Sequence, residues 1–362
     1  MSGNGRSDER GARGESGGRG ASGGRGASGG RGESSGWGER GGRIAPDEQP
    51  IRIGISSCLL GEQVRFDGGH KRDAFIVGTL ARFVEFVPVC PEVDIELGIP
   101  RETIRLQRDG DAVRLVAPKS GKDHTTRMLR YARRKVRELE ALDLSGYVVK
   151  KDSPSCGMER VKIWNPGAMP ERIGRGVFTR VLMEQLPLLP VEEEGRLHDP
   201  RLRENFFERV FAYRRLRNLF TGRWRVGDLV RFHTAEKLLL LAHRPQSYQE
   251  LGRLVARAKQ LPRRELADTY QHAFMSALAH KASTGRHVNV LQHMAGFFKD
   301  CVSAGERQEI AAVIADFRAG LIPLVVPLTL IRHYVRMHGV EYLLGQTYID
   351  PHPKELMLRN HV

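Results

Sequence analysis

Three cysteines in the first half of the chain each follow a short apolar run that is typical of a buried β-strand. The pairs are 51–57 with Cys58, 83–89 with Cys90, and 146–150 with Cys156. In α/β sheets, ligands bind outside the carboxyl ends of the strands, so loops that are distant in sequence meet there. We therefore expect the three thiols to converge on one inorganic centre.

The cellular setting and the cysteine spacing narrow the kind of centre. The chain has no apolar signal-peptide core and no long apolar span, so we expect a cytoplasmic protein without a membrane segment. Thiols stay reduced in the cytoplasm, where a cysteine cluster more often means metal binding or catalysis than disulfides. A structural zinc site normally takes four ligands in two close pairs, and this dispersed set of three fits it poorly. Three unrelated core cysteines are the alternative.

Polar residues that are able to take part in chemistry accompany the first two cysteines. The segment 56–73 carries Asp67 and His70 on either side of a Gly–Gly turn. They are candidates for orienting a substrate, and structural hydrogen bonding within the turn is the alternative. Glu92 follows Cys90 in the sequence CPE and places a carboxylate beside the second cysteine.

The third cysteine lies in the segment KKDSPSCG, residues 150–157. Lys150 ends a strand at the expected site and is a candidate substrate contact. Ser153 lies before a proline, so its hydroxyl is a candidate for contacting substrate or for stabilising the turn. Three thiolates on a four-iron cluster would leave one iron without a protein ligand, and that iron could act as a Lewis acid.

The pattern of elements predicts two folded regions. Strand-like runs alternate with helical patterns from 51 to about 190, which predicts an α/β domain with a mainly parallel sheet. Helical periodicity then continues almost to the end of the chain, which predicts an all-helical domain. We place the α/β domain at 47–195 and the helical domain at 196–362, with 187–200 as the connection.

The remaining segment, residues 1–46, is rich in Gly, Arg and Ser. It has too few apolar side chains to offset the entropy of ordering, so we expect it to be disordered. Tails rich in Arg and Gly often contact RNA, and a solubilising extension is the alternative.

The positive charge is concentrated in one part of the chain. The 362 residues carry a net charge of +15, and residues 196–300 contain 20 basic and 9 acidic residues. A polyanion such as nucleic acid is the natural partner of this surface, and a solvated helical face is the alternative. The candidate RNA-binding residues are Arg214, Arg215, Arg217, Arg223, Arg225 and Arg231.

Taken together, these motifs resemble a known family. SCLLGEQVRFDGGHK, CPE with GIPRE, and KKDSPSCG resemble the thiouracil desulfidase family. The later segments FHTAEKLLLLAH, GRHVNVLQHMAGFFK and YLLGQTYIDPHPKEL resemble the helical domain fused to it in tRNA 4-thiouridine desulfidases. One departure is Glu96, where we expect a smaller residue in the loop after Cys90.

The resemblance implies a cofactor and roles for particular residues. It implies a [4Fe–4S] cluster held by Cys58, Cys90 and Cys156, with one open iron. It also implies that Glu92 serves as the acid/base and that Ser153 orients the substrate.

The resulting hypothesis is a non-redox desulfuration of 4-thiouridine in tRNA to uridine, with release of sulfide. Desulfuration of free thiouracil-type bases is the nearest alternative. A non-catalytic RNA-binding protein with a structural metal, and an enzyme with Cys156 as nucleophile, remain open as well. We infer no obligate protein partner.

Overall fold

The computed structural model describes residues 50–362, which belong to one compact unit. The predicted tail at 1–46 and the first three residues of the predicted α/β domain lie outside the described residues. The strands are β1 (Arg52–Ser56), β2 (Glu85–Val89), β3 (Arg105–Asp109), β4 (Ala112–Val116), β5 (Gly146–Val149), β6 (Val161–Trp164), β7 (Glu171–Gly174) and β8 (Val191–Glu193). The helices are α1 (Ala74–Gly78), α2 (Pro91–Asp94), α3 (Thr125–Ala141), α4 (Val177–Gln185), α5 (Pro200–Phe220), α6 (Val226–His243), α7 (Pro245–Ala256), α8 (Arg263–Leu278), α9 (Thr284–Ala295), α10 (Ala304–Arg318), α11 (Val325–His338) and α12 (Glu341–Leu344).

The first sheet confirms the predicted α/β architecture. Its order is β2-β1-β5-β8, and all three pairings are parallel. β5 is buried at every position, as expected of a strand covered on both faces. Helices α3 and α4 contribute Met128 and Phe178 to the core on one face, while α5 contributes Phe206 and Val210 on the other.

A second sheet, which the sequence analysis did not separate, follows β2. Its order is β4-β3-β6-β7, with antiparallel pairs β3/β4 and β6/β7 around the parallel pair β3/β6. The β3/β4 hairpin turns at Gly110, whose φ of 58° lies in the left-handed region that favours glycine. β6 alternates buried and exposed residues, so one face of this sheet packs inward and the other faces solvent.

The stretch 187–200, predicted as a connection, contains β8. The three consecutive glutamates Glu192, Glu193 and Glu194 are buried there. Glu192 pairs with Arg196, and Glu193 accepts a hydrogen bond from the backbone N–H of Met158. Local partners therefore compensate a run of charge that would otherwise be expected at the surface.

Helices α5 to α12 confirm the predicted all-helical second half. A buried ionic network ties its last residues to α5. Arg359 pairs with Glu204 and with Glu208, and His243 also contacts Glu208. The charge of Arg359 and the hydrogen bond from His243 hold the pKa of Glu208 well below its usual range, despite burial. Among residues 50–362, no helix combines the length and apolar character that crossing a bilayer requires.

A buried histidine on α6 makes stability depend on pH. Nδ1 of His233 lies 3.1 Å from the hydroxyl oxygen of Tyr270, and Nε2 is buried without a partner among the described residues. Burial, reinforced by the charge of Lys237, lowers the pKa of His233 to about 4. The ordinary value in an unfolded chain is about 6.5.

We predict that the contribution of His233 is fully present above about pH 6.5 and falls as the pH drops towards about 4, because only the unfolded chain takes up the proton. The loss from this residue is about 2 kcal/mol between about pH 6.5 and about pH 5. The free energy of unfolding, measured by urea denaturation at several pH values in this range, should change less steeply with pH for His233→Gln than for wild type. The exposed His272→Gln serves as the control, and an unchanged slope in His233→Gln would contradict the prediction.

Candidate active site

The first sheet brings the three predicted cysteines to one place. Cys58 lies in the short turn after β1, Cys90 directly follows β2, and Cys156 lies in the loop after β5. These strands are neighbours and run parallel, so their carboxyl ends share one edge. All three cysteines line a single cavity of about 390 Å³ at that edge.

The loop that carries Cys156 is fixed by contacts with α4. The hydroxyl of Thr179 donates a hydrogen bond to the carbonyl of Cys156 at 2.5 Å. A Cβ atom at Gly176 would lie 2.5 Å from the carbonyl group of Ser155, so only glycine fits this close approach of two backbones. The start of α4 therefore sets the position of the third cysteine.

Burial disfavours ionisation of the three thiols. Burial, with the neighbouring Cys90 adding to it, raises the pKa of Cys58 to about 11. Burial also raises the pKa of Cys90 and that of Cys156. Burial therefore disfavours the thiolate form of all three side chains, and a positively charged centre would stabilise that form.

The arrangement of donors discriminates between kinds of metal centre. Among residues 50–362, no three His, Cys, Asp or Glu side chains are grouped closely enough to hold a metal ion. A mononuclear site such as zinc needs its donors in one coordination shell. An iron–sulfur cluster takes thiolates on separate irons, so three thiols spread around one cavity fit it better.

A hydrogen-bonded network holds Glu92 in the cavity wall. Arg101 donates to Oε2 of Glu92 from Nη2 at 2.7 Å and from Nε at 3.1 Å. The hydroxyl of Ser155 donates to Oε1 at 2.6 Å. Arg101 also donates to the carbonyl of Val64 and its side chain is only 4% exposed, so the guanidinium is itself fixed. Both carboxylate oxygens of Glu92 therefore have defined positions.

Ser153 contacts Glu92 indirectly, through Ser155. Its Oγ lies 2.9 Å from Oγ of Ser155 and accepts a hydrogen bond from the backbone N–H of Cys156. Because Ser155 gives its proton to Glu92, Ser153 donates to Ser155. The turn-stabilising role considered for Ser153 is thus present, while Ser153 also lines the cavity.

Cationic side chains line the cavity beside the thiols. Arg65, Lys71 and Lys150 contribute to its wall. Nζ of Lys150 forms an ion pair with Glu194, whose other carboxylate oxygen accepts from the backbone N–H of Lys151 at 2.7 Å. The buried Glu194 thus fixes the strand end that carries Lys150.

Comparison with known proteins agrees with this geometry. The family described as 2-thiouracil desulfurase matches residues 53–194, and a family described as a protein of unknown function, DUF1722, matches residues 237–353. Residues 53–194 therefore form a domain of the 2-thiouracil desulfurase family. The resemblance of both halves noted in the sequence is thereby confirmed.

Two individual proteins are similar to parts of the chain. The uncharacterised protein YbgA of Escherichia coli is 34% identical over 153 residues, which are 42% of this chain and 90% of YbgA. A solved structure described as the [4Fe-4S]-dependent thiouracil desulfidase TudS is 29% identical and covers 41% of this chain and 94% of its own. Its TM-score is 0.34.

Two of the predicted substrate contacts lie outside the wall of the desulfurase cavity. Asp67 accepts a hydrogen bond from the backbone N–H of Gly69 and pairs with Arg65, and both contacts lower the pKa of Asp67. Nδ1 of His70 accepts from the backbone N–H of Arg72. Both residues are exposed and make the turn contacts that we considered as the alternative. Their substrate contact stays a prediction.

The departure at Glu96 has a conformational explanation. The φ of Glu96 is 55°, in the left-handed region that a non-glycine residue adopts at some cost. Its side chain pairs with Arg127 on α3. The backbone at position 96 thus favours glycine over a residue with a side chain. The side chain of Glu96 that is present instead forms the ion pair with Arg127.

The six arginines predicted to bind RNA fall into two sets. Arg214 and Arg217 pair with Asp143 of the desulfurase domain, and Arg215 pairs with the buried Glu236. The exposed residues are Arg223, Arg225 and Arg231, around the start of α6. Arg231 also contacts Asp228 on the same helix.

Sequence reasoning did not assign roles to Ser155 or to Arg101. Ser155 lies in the motif DSPSC and Arg101 in the motif GIPRE, so their positions in these motifs could have indicated a role. Their function as partners of Glu92 depends on three loops meeting in space, which spacing alone does not reveal.

We predict that Arg101→Met lowers the free energy of unfolding by roughly 3 kcal/mol, because it leaves the largely buried Glu92 with an uncompensated charge. The double variant Arg101→Met/Glu92→Gln should recover most of this loss, as measured by urea denaturation.

Arg114→Met is the matched control, because Arg114 forms half-exposed ion pairs on β4. It should change stability far less than Arg101→Met does, because ion pairs between exposed groups contribute little. Equal effects of Arg101→Met with and without Glu92→Gln would contradict the pairing.

Proposed function

We propose that this protein hydrolyses the carbon–sulfur bond of a thiolated pyrimidine, with 4-thiouridine in tRNA as its substrate. Water replaces sulfur at the ring carbon, so the thiocarbonyl becomes a carbonyl and sulfide leaves with no net redox change. The observation that carries the proposal is a fixed carboxylate, Glu92, in the same cavity wall as three thiols. The family match over 53–194 supports the same class of reaction.

The cofactor follows from the donor set. We propose that Cys58, Cys90 and Cys156 hold a [4Fe–4S] cluster, since three thiols around one cavity fit a cluster and no group suits a mononuclear ion among the described residues. When bound, such a cluster supplies a Lewis-acidic iron that has no protein ligand and suits soft sulfur.

The residues of the chain supply the acid/base chemistry. Glu92 takes a proton from the attacking water, because it is the carboxylate in the cavity wall whose two oxygens are held by donors. The hydrogen bonds from Arg101 and Ser155 fix the orientation of the Glu92 carboxylate. Lys71 and Lys151, which form no ion pair among the described residues, add positive charge to the wall and favour a substrate that develops negative charge.

The choice of tRNA rests on the helical half. Residues 196–300 carry an excess of basic residues, and Arg223, Arg225 and Arg231 remain exposed there. We therefore narrow the proposed RNA-binding set to these three exposed residues, since the other three arginines are partly buried in ion pairs with Asp143 and Glu236. Free thiouracil-type bases are the second candidate substrate, favoured by the description of the matched family.

We predict that Glu92→Gln retains the absorption spectrum of the anaerobically purified protein but lowers the rate of sulfide release by at least about 100-fold. The amide keeps the shape of the side chain and loses its ability to accept the proton. Glu102→Gln, which changes a half-buried carboxylate outside the cavity wall, is the matched control. Full activity of Glu92→Gln would remove Glu92 from the mechanism, and a colourless wild-type protein would remove the cluster.

We also predict that the triple variant Arg223→Ala/Arg225→Ala/Arg231→Ala binds tRNA more weakly and with less dependence on salt. The slope of log affinity against log salt should shrink by about 2, because fewer phosphates are neutralised. The matched control removes three exposed arginines of α3, at positions 133, 134 and 137. Filter binding at several salt concentrations tests this, and equal slopes for both triple variants would contradict it.

A further inference from the structure

A second cavity adjoins the one that holds the thiols. Its volume is about 260 Å³, and it lies against the solvent-facing side of the second sheet. Ile104, Asp152 and Pro154 line both cavities, so the two share a wall. We call this second cavity the outer groove.

The alternation of β6 places an aromatic residue in the outer groove. Val161 and Ile163 point into the core, whereas Lys162 and Trp164 are on the exposed face. Trp164 is 37% exposed, which is unusual for so large an apolar side chain. By contrast, Trp224 in the helical half packs edge-on against Phe220 at 5.0 Å and lines neither cavity.

Three cations accompany Trp164 in the outer groove. The guanidinium of Arg105 lies over the indole, 5.0 Å from the ring centre. Lys162 on β6 lies opposite Arg172 on β7 in the strand register, so both side chains face the same side of the sheet. Asp152 is the one carboxylate among the residues that line the groove, and it forms an ion pair with Arg172 at 3.0 Å. The groove therefore combines a stacking surface with an excess of positive charge.

We propose that the outer groove binds the RNA nucleotide adjacent to the thiolated one. Its base packs against the pair formed by Trp164 and Arg105, and its phosphate lies at Lys162 and Arg172. The proposal deepens the proposed function and rests on it for the position of the thiolated base. An enzyme that acts on a base within RNA must take it out of the stack, which leaves the neighbouring base without a partner. Aromatic rings and guanidinium planes are the groups that replace such stacking.

The shared wall makes this assignment specific. A nucleotide whose base enters the cavity of the thiols has its neighbour at the rim, and Ile104 and Pro154 form that rim on the side of the outer groove. A free base has no neighbour and does not reach Trp164. The outer groove thus serves RNA substrates and not free bases.

Binding of unmodified RNA tests the proposal independently of turnover. A fluorescently labelled short single-stranded RNA without thiolated bases is titrated with the full chain, and anisotropy gives the Kd. We expect Trp164→Ala to raise the Kd by about 10-fold and Trp164→Phe to raise it less, because the phenyl ring keeps a stacking face. Ile173→Ala, which truncates an exposed apolar side chain on the neighbouring β7, is the matched control and should leave the Kd unchanged.

An unchanged Kd in Trp164→Ala would overturn the proposal. Should that variant fail to fold, Lys162→Ala decides, since it truncates an exposed side chain. It should weaken binding and reduce the salt slope by about 1, and an unchanged affinity would overturn the proposal as well.

Kinetics separate this inference from the proposed function. We expect Trp164→Ala to raise KM for an RNA containing one 4-thiouridine by about 10-fold while desulfuration of free 4-thiouracil stays within about twofold. Equal losses on both substrates would show a merely structural role for Trp164 and overturn the inference. A wild-type protein that desulfurates neither substrate refutes the proposed function, whereas the RNA titration still tests the groove.

Discussion

The parallel pairing of β1 between β2 and β5 is the constraint on which the site depends. Its register places Ser56 opposite Val89, so β1 and β2 end together at one edge of the sheet. Cys58 and Cys90 follow these strand ends within two residues, and the loop after β5 adds Cys156. Any slip in this register would separate Cys58 from Cys90, because each closely follows the strand that positions it. The convergence of the thiols is thus a consequence of backbone hydrogen bonding.

Compensation of buried carboxylates is the second organising feature. Glu92 is held by Arg101, Glu194 by Lys150, and Glu208 by Arg359 with His243. Burying such pairs contributes little net stability, because desolvation offsets most of their attraction. Their value lies in fixing geometry. Glu194 ties β8 to the loop after β5, and Glu92 ties the loop after β2 to the loop of Cys156. The carboxylates therefore hold together loops that hydrogen bonding within the sheet does not reach.

The limits of sequence reasoning follow from the same features. The strands before the cysteines were predicted within a few residues, because a buried strand leaves an apolar run. β8 was missed because three glutamates read as exposed, and their partners at Arg196, Met158 and Lys150 are set by tertiary structure. Ser155 received no role because its contact with Glu92 spans 63 positions. The sequence shows the excess of basic residues in 196–300, yet it does not reveal that Arg215 is already paired with Glu236.

On our two proposals, the distribution of charge separates two modes of RNA recognition. Residues 44–195 contain 24 basic and 23 acidic residues, so the desulfurase part is nearly neutral as a whole. Glu92 and Glu194 are each held in an ion pair, however, while Lys71 and Lys162 line the two cavities. On our proposals, the basic helical half supplies an attraction that depends strongly on salt. Stacking on Trp164 depends on contact area and orientation, so its contribution to affinity changes far less with salt. It adds selectivity for the neighbouring nucleotide. The two contributions are therefore physically separable, and the nearly neutral domain is the one that reads the local structure of its substrate.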